Sequence, residues 1–202
     1  MNRRFTKAAA GLAAAALAAG LSISAAGAAH ADPVVPATWA EIYNPYLNAA
    51  GNTLCVDDPS GSTAQFQKLQ LWRCHGYASN GSPQRWVFTH VGNDALGGYG
   101  TYQIRNTGSG WCIGVSPSVP NSQLEGTDLI QESCGDTAHT EWDIAPPNRA
   151  DSTSPFELEL APGPATSAGW CFSASTFLDT SGTRLVASAC NFQDTRRLFN
   201  FG

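Results

Sequence analysis

One sequence unit occurs three times in this chain, and no other feature restricts the possible folds as strongly. In chain order, the unit consists of a hydrophobic residue followed by a cysteine, a short strand, a polar loop, a strand that ends in a second cysteine, a polar turn and an aromatic strand. The first cysteines are separated by 57 and 59 residues, the second cysteines by 60 and 56, and the closing aromatic residues by 56 and 57. Because three features share one period, the sequence predicts three copies of one unit, at about residues 43–99, 100–155 and 156–202.

The copies share three segments, which surround the two cysteines and the closing aromatic residue. In chain order these are Leu54–Asp58, Leu69–Cys74 and Gln84–Phe88 in copy one, Trp111–Val115, Leu129–Cys134 and Thr140–Ile144 in copy two, and Trp170–Ala174, Leu185–Cys190 and Arg197–Phe201 in copy three. We expect the large hydrophobic residues at equivalent positions to lie in the core, namely Trp86, Trp142 and Phe199 at the end of the unit and Leu54, Trp111 and Trp170 at its start.

The repeat predicts an all-β fold. Each copy contains about four short strands separated by turn residues, and no stretch after the N-terminal region has helical periodicity. A single copy cannot bury its own apolar face. Three copies about a pseudo-threefold axis can close around one core and leave no exposed sheet edge.

Residues 1–31 have the composition of a secretory signal peptide. Three basic residues within the first seven precede an alanine-rich apolar run, and Ala29–Ala31 supplies the small residues of a cleavage site. This pattern predicts a secreted, extracellular protein that begins at Asp32, with a short N-terminal lead over residues 32–42.

The expected mature chain is acidic. The signal segment takes three of the 11 Lys and Arg residues and none of the 16 Asp and Glu residues, so eight basic residues remain against 16 acidic ones and the net charge is −8. Such a chain is a poor partner for phosphate backbones or anionic lipids, and no later stretch approaches membrane length. We therefore expect no nucleic-acid partner and no membrane span.

The motifs Cys55-x-Asp57, Gln70-Leu-Trp72-x-Cys74 and Gln84-x-Trp86, repeated in thirds, resemble the ricin B-type (R-type) lectin family. This module is also common as a carbohydrate-binding appendage in secreted actinobacterial hydrolases. The resemblance covers residues 43–202 and is strongest in copy one. It implies a β-trefoil of three pseudo-threefold repeats.

The six cysteines all follow the predicted signal peptide, and in an exported chain they are expected to form disulfides. Six cysteines allow 15 connectivities. The repeat favours pairing within copies and the resemblance implies the same, which gives Cys55–Cys74, Cys112–Cys134 and Cys171–Cys190. Each bridge closes a loop of about 20 residues, worth roughly 3 kcal/mol in the chain-entropy model. No Cys-x-x-Cys cluster suggests a metal site.

The resemblance also implies a sugar site in copy one. The family places an Asp two residues after the first cysteine, a polar or aromatic pair four and two residues before the second, and a Gln in the Gln-x-Trp motif. In copy one these positions hold Asp57, Gln70, Trp72 and Gln84. A carboxylate accepts hydroxyl hydrogen bonds, an amide donates and accepts, and a flat ring covers the C–H groups of a sugar.

Several details of this site stay open in the sequence. Pro83 replaces the usual Asn and offers neither a side-chain hydrogen bond nor a backbone N–H, so Asn80 or Ser82 would have to substitute. The stacking ring is Trp72, Phe66, Tyr77 or His75. Asp57 could instead cap the turn at residues 59–61, although Asp58 suits that role better.

Copies two and three have lost the set of sugar-binding residues. The four positions hold Gly114, Ile130, Glu132 and Thr140 in copy two, and Ser173, Val186, Ser188 and Arg197 in copy three. We interpret both copies as scaffold, and a single remaining site predicts weak monovalent binding, at about millimolar Kd.

An enzyme needs a nucleophile or an acid–base pair, and the sequence offers neither a Gly-x-Ser-x-Gly nor a His-Glu-x-x-His motif. Glu157 and Glu159 share one face of a strand, which we interpret as the charged face of an edge strand. We predict no catalytic residue, no metal ligand and no cofactor.

The predicted function is that of a secreted carbohydrate-binding protein with one site in the first repeat, for a galactose-type or xylan-type sugar. The alternative is a β-trefoil that binds or inhibits a protein, because two copies have lost the sugar-binding residues. The sugar's identity and the oligomeric state stay open.

Overall fold

A computed structural model describes residues 35–49, 51–76, 82–92, 100–145, 155–161, 169–178, 180–191 and 193–202. The predicted signal peptide lies outside these ranges. The described strands are β1 (Ile42–Ala49), β2 (Asn52–Asp57), β3 (Gln70–Arg73), β4 (Trp86–Gly92), β5 (Thr101–Asn106), β6 (Cys112–Val115), β7 (Leu129–Glu132), β8 (Glu141–Ala145), β9 (Glu157–Leu160), β10 (Trp170–Ala174), β11 (Thr183–Ala189) and β12 (Asn200–Phe201). One short α-helix, α1 (Thr137–Thr140), precedes β8, and the described residues also contain three single-turn 3-10 helices at Pro59–Gly61, Asn121–Gln123 and Thr195–Arg197. No helix within the described ranges has the length and apolarity needed to cross a membrane.

Six strands form a closed barrel through all three copies. Neighbouring copies are joined by the antiparallel pairs β4–β5, β8–β9 and β12–β1, and β5 pairs with β8 inside copy two. The bridges Ala40–Trp86 and Phe156–Phe199 complete the ring in copies one and three. Ala40 and Ile42 are fully buried, so the barrel extends into the segment that the sequence assigned to the N-terminal lead. The predicted all-β trefoil is confirmed.

The other six strands form one hairpin in each copy: β2–β3, β6–β7 and β10–β11. The hairpins are joined to one another through the bridges Lys68–Ile130 and Asp128–Val186 and through the pairing of β3 with β11. Equivalent segments of the three copies therefore meet around the pseudo-threefold axis.

The closing aromatic residues occupy equivalent core positions, as predicted. Trp86, Trp142 and Phe199 are fully buried. Trp86 Nε1 donates to the backbone oxygen of Val56 at 3.0 Å, and Trp142 Nε1 donates to that of Ile113 at 2.9 Å. Each indole ties the last strand of its copy to the hairpin of the same copy, and it gives a buried carbonyl its hydrogen-bond donor.

The leading tryptophans were expected in the core, but neither is fully buried, and of the two only Trp170 packs against the core. Leu54 is fully buried, but Trp111 and Trp170 are only half-buried. Their indole N–H groups donate to backbone oxygens of the preceding copy, at Thr63 (2.9 Å) and Asn121 (2.5 Å). Both rings therefore also link their copy to the preceding one.

The three disulfides form within copies. Cys55–Cys74, Cys112–Cys134 and Cys171–Cys190 have Cα–Cα distances of 5.0, 5.1 and 5.0 Å. Each bridge links the first strand of a hairpin to the residues just after the second. The pairing implied by the repeat is confirmed.

Strand β9 is not an edge strand, which corrects the interpretation of its acidic residues. It pairs with β8 on one side and with β10 on the other. Glu157 is fully buried and Glu159 is half-buried. Closure of the barrel places β9 between two neighbours, so these side chains do not form a solvated edge.

We expect Trp86→Phe to lower the free energy of unfolding by about 1–3 kcal/mol, because the buried Val56 carbonyl loses its donor. A phenyl ring is compatible with this position, since copy three carries Phe199 there. Denaturant titration of the two proteins measures the difference, and an unchanged unfolding midpoint would contradict the importance of the indole bond.

Candidate functional site

The β2–β3 hairpin brings three predicted site residues to its outer face. Asp57 pairs with Gln70, and Cys55 pairs with Trp72. Alternate positions of a strand share a face, and the intervening Leu71 is fully buried in the core. Asp57, Gln70 and Trp72 therefore lie together on the side of the hairpin that faces away from the core.

Two glutamine amides hold the Asp57 carboxylate. Gln70 Nε2 donates to Asp57 Oδ2 at 2.8 Å, and Gln84 Nε2 donates to Oδ1 at 3.1 Å. Gln84 is fully buried, donates also to the backbone oxygen of Arg73 (3.0 Å) and accepts from the backbone N–H of His75 (2.9 Å). Gln84 thus lies behind the acid and orients it, whereas the half-buried Gln70 covers it from the outside.

These side chains open onto a pocket of about 460 Å³. Its lining residues are Asp57, Pro59, Ser60, Gln70, Trp72, His75 and Pro83. The Trp72 residue is 39% exposed, whereas Asp57 is only 3% exposed beneath the two amides. The pocket therefore combines an accessible indole, two proline walls and a carboxylate at its inner side.

Among the described candidates for the stacking ring, Trp72 and His75 line the pocket. Phe66 belongs to another surface, because its backbone N–H donates to the Gln131 oxygen of copy two at 2.7 Å and it does not line this pocket. Tyr77 lies outside the described residues.

Ser82, one of the two residues expected to substitute for the missing Asn, is not among the residues that line the pocket. Ser82 is buried and accepts from the Gln84 backbone N–H at 3.3 Å. Pro83 forms part of the pocket wall. Asn80 falls outside the described ranges.

Burial raises the pKa of Asp57 above its ordinary value, against the opposing effects of the Gln70 and Gln84 bonds and the nearby His75. Each carboxylate oxygen can accept about two hydrogen bonds. The two amide bonds therefore leave acceptor capacity for a ligand hydroxyl on either oxygen.

Asp58 precedes the turn at residues 59–61, but its side chain makes no capping hydrogen bond there, and it is fully buried. Its backbone oxygen accepts from the Gly61 N–H at 3.0 Å. Its Oδ1 accepts from Gln131 Nε2 of copy two at 2.9 Å, while Oδ2 has no hydrogen-bond partner in the described structure. Burial and the neighbouring Asp57 charge raise the pKa of Asp58 to about 7.

The equivalent position in copy two is physically blocked. A Cβ atom at Gly114 would lie 2.8 Å from the His139 backbone oxygen and 2.9 Å from Thr140 Cγ2. Glu132, which replaces the tryptophan, is buried and accepts from Gln65 Nε2 at 2.5 Å. Helix α1 has therefore closed over the place where copy one keeps its carboxylate.

The equivalent region of copy three is bridged by side chains. Arg197 Nη2 donates to Ser188 Oγ at 2.9 Å, so the glutamine and tryptophan positions bond to each other. The Arg196 guanidinium lies 4.4 Å from the centre of the Phe177 ring. This contact joins the loop after β10 to the turn before β12. In copy one, the equivalents of these two segments line different parts of the pocket.

Two groups of potential metal ligands occur among the described residues, Glu41 with Cys55 and Cys74, and Glu157 with Cys171 and Cys190. All four sulfur atoms belong to disulfides. The thiolate is the form of cysteine that binds metal, so each group offers a metal only its carboxylate.

The chain matches the ricin-type beta-trefoil lectin domain over residues 45–196 and belongs to this family. Family membership supports carbohydrate binding in general. No curated protein sequence matches the chain.

Solved structures with the same fold include ThreeFoil, a designed threefold symmetric protein, with a TM-score of 0.62, 12% identity and coverage of 81% of this chain and 96% of that one. The Rhizoctonia solani agglutinin has a TM-score of 0.61, 16% identity and coverage of 85% and 98%. The Macrolepiota procera ricin B-like lectin, solved in complex with lactose, has a TM-score of 0.58, 17% identity and coverage of 83% and 96%. At these identities the similarity concerns the fold alone.

The buried Asp58 predicts a pH-dependent stability. Its pKa is about 7 in the folded state against an ordinary 3.8, so the stability present below pH 4 is lost as the pH rises through 7. We expect the melting temperature of Asp58→Asn to depend less on pH than that of the parent protein. The difference between the two melting temperatures, in favour of Asp58→Asn, should grow between pH 5 and pH 8. Thermal melts across this range measure the effect, and parallel pH curves for the two proteins would show that Asp58 ionises normally.

Proposed function

We propose that this chain is a secreted carbohydrate-binding protein with one sugar site, the pocket of copy one. The observation that carries the proposal is the convergence of Asp57, Gln70 and Trp72 on one open pocket. The equivalent positions of copy two are blocked at Gly114, and those of copy three are bridged by Arg197.

Each residue has a distinct part in this proposal. Asp57 accepts hydrogen bonds from two sugar hydroxyls, which are strengthened by its charge. Gln70 is the more exposed of the two amides. It donates to the Asp57 carboxylate, to which the ligand hydroxyls also donate, and it bonds a neighbouring hydroxyl of the sugar. Trp72 covers the C–H face of the ring, and Gln84 keeps the carboxylate in place.

The ligand class is a galactose-type or xylan-type sugar. The lactose complex of the Macrolepiota procera lectin, which has the same fold, supports including galactosides among the candidates. A single shallow site gives affinity of about millimolar Kd. Stronger attachment then requires several sites on one surface or a partner module.

A second candidate is a trefoil that binds a protein. It is favoured by the low exposure of Asp57, which is 3%, and by Pro83 in place of a hydrogen-bonding residue. In that case the exposed Trp72 would contact a protein side chain, and the carboxylate would serve only to hold the two glutamines.

We expect Asp57→Asn to weaken sugar binding by about ten- to a hundredfold, because a hydrogen bond to a charged group contributes about 1.5–3 kcal/mol. Ligand-observed NMR with galactose, lactose and xylobiose measures it. Ser173→Ala, the matched change in copy three, should leave binding unaltered. Equal binding by the parent protein and Asp57→Asn would contradict a site at this carboxylate.

We expect Trp72→Ala to abolish binding of the same sugars, since the exposed indole is the largest ring among the lining residues and would cover the C–H face of a sugar. Phe66→Ala is the control, because Phe66 is an exposed aromatic residue that does not line the pocket. If no sugar binds the parent protein and Trp72→Ala instead prevents capture of a protein partner, the second candidate replaces the first.

A further inference from the structure

The strand that precedes each hairpin carries a polar side chain at one equivalent position. The register between that strand and the first cysteine is the same in each copy: Tyr43 with Cys55, Arg105 with Cys112, and Glu159 with Cys171. Two residues before these partners stand Glu41, Gln103 and Glu157. Copies one and three therefore have a carboxylate at this position, and copy two has an amide of the same shape.

The two carboxylates lie directly against disulfides. Glu41 Oε2 is 3.9 Å from Cys55 Sγ, and Glu157 Oε2 is 3.5 Å from Cys171 Sγ. A disulfide sulfur carries no proton, so these are contacts between a carboxylate and sulfur and not donated hydrogen bonds. Both acids are buried, and in both the other oxygen, Oε1, has no hydrogen-bond partner in the described structure.

The amide of copy two makes a different contact. Gln103 Nε2 donates to the backbone oxygen of Cys134 at 2.6 Å, so a neutral group stands beside this bridge. The three disulfides are otherwise alike in burial, because the first cysteine of each is buried and the second is half-buried. Copy two also has a buried carboxylate, Glu132, opposite Cys112 in the hairpin. Only Glu41 and Glu157, however, place a carboxylate oxygen within 4.8 Å of both sulfur atoms of a described bridge, and this proximity is the difference on which the inference rests.

We propose that Glu41 and Glu157 protect their disulfides from thiol reductants, which leaves Cys112–Cys134 as the bridge that is reduced first. A dithiol reduces a disulfide when its thiolate attacks the accessible sulfur, forms a mixed disulfide and expels the other cysteine as a thiolate. The second thiol of the reductant then attacks the mixed disulfide, which releases the remaining cysteine and a cyclic oxidised dithiol. Two electrons pass from the dithiol to the protein.

A carboxylate opposes the first of these steps at two points. The attacking group is an anion, and the expelled thiolate develops on the buried Cys55 or Cys171, next to the carboxylate oxygen. Like charges at this separation repel strongly in a buried environment. The retained bridge Cys55–Cys74 lies beside Asp57 and His75 of the pocket, so its protection also maintains the proposed sugar site.

Other charged groups surround these acids. Arg197 acts on Glu157 with an attractive charge, while Glu159 and Asp194 add negative charge. His75 and Arg85 act on Glu41. Burial raises the pKa of Glu157 to about 7, so protection of Cys171–Cys190 is complete only above neutral pH.

Partial reduction of the full chain by dithiothreitol at pH 8.5, followed by alkylation and peptide mass mapping, tests the proposal. We expect Cys112–Cys134 to be reduced about tenfold faster than either other bridge, since like charges this close repel by at least the corresponding amount. Equal rates for the three bridges, or slowest reduction of Cys112–Cys134, would overturn it.

Glu157→Gln separates protection from stability. Removing a buried charge should stabilise the fold at pH 8.5 and so slow reduction through unfolding, yet the proposal predicts about tenfold faster reduction of Cys171–Cys190 alone. The reciprocal Gln103→Glu should slow reduction of Cys112–Cys134. In the parent protein the rate ratio of Cys112–Cys134 to Cys171–Cys190 should fall between pH 8.5 and pH 6. A ratio independent of pH, with no change in Glu157→Gln, contradicts a role for the carboxylate.

Discussion

The structure depends on closing a ring of six strands that no single copy can complete. The short last strand, β12, pairs with β1 at the opposite end of the described chain, and each copy pairs its last strand with the first strand of the next. Aromatic contacts cross the same boundaries, since Phe172 lies 4.3 Å from Trp142 and Phe88 lies 4.9 Å from Phe201, measured between ring centres. Closure thus satisfies the strand edges and completes the core in the same step.

This closure separates two kinds of position in the repeat. Residues that hold the ring keep their role in every copy, as Trp86, Trp142 and Phe199 do. The proposed sugar-binding positions had no such constraint, and two copies use them for packing. Helix α1 lies so close to Gly114 that no side chain fits at this position. In copy three Arg197 fills the equivalent region and donates to Ser188 of the same copy. The open pocket of copy one is therefore the place where these positions have not been used for packing.

The sequence predicted the parts of the structure that lie within one repeat. The cysteine pairing follows from the repeat and from the family resemblance, which also implies that Asp57 and Gln70 belong to one site. The errors concern contacts between copies. Trp170 extends over the preceding copy, and β9 lies between two strands because the barrel closes. Gly182 of copy three also lies beside the pocket, where its Cβ would be 3.7 Å from Trp72, and no motif of copy one contains that information.

Contacts between copies also explain why the repeats of this chain differ at one position near the axis. Lys68, Asp128 and Arg184 each directly precede the equivalent leucine of their copy, and they meet at the axis. Asp128 Oδ2 is 2.7 Å from Lys68 Nζ, and its Oδ1 accepts from Arg184 Nε at 2.6 Å. Three identical charges here would repel one another, and the chain avoids this repulsion by carrying an acid in copy two between basic residues of copies one and three. The bonds among Asp57, Gln70 and Gln84 lie entirely within copy one. Such a site can be lost from one copy without disturbing another, whereas a charge at the axis can change only together with its partners.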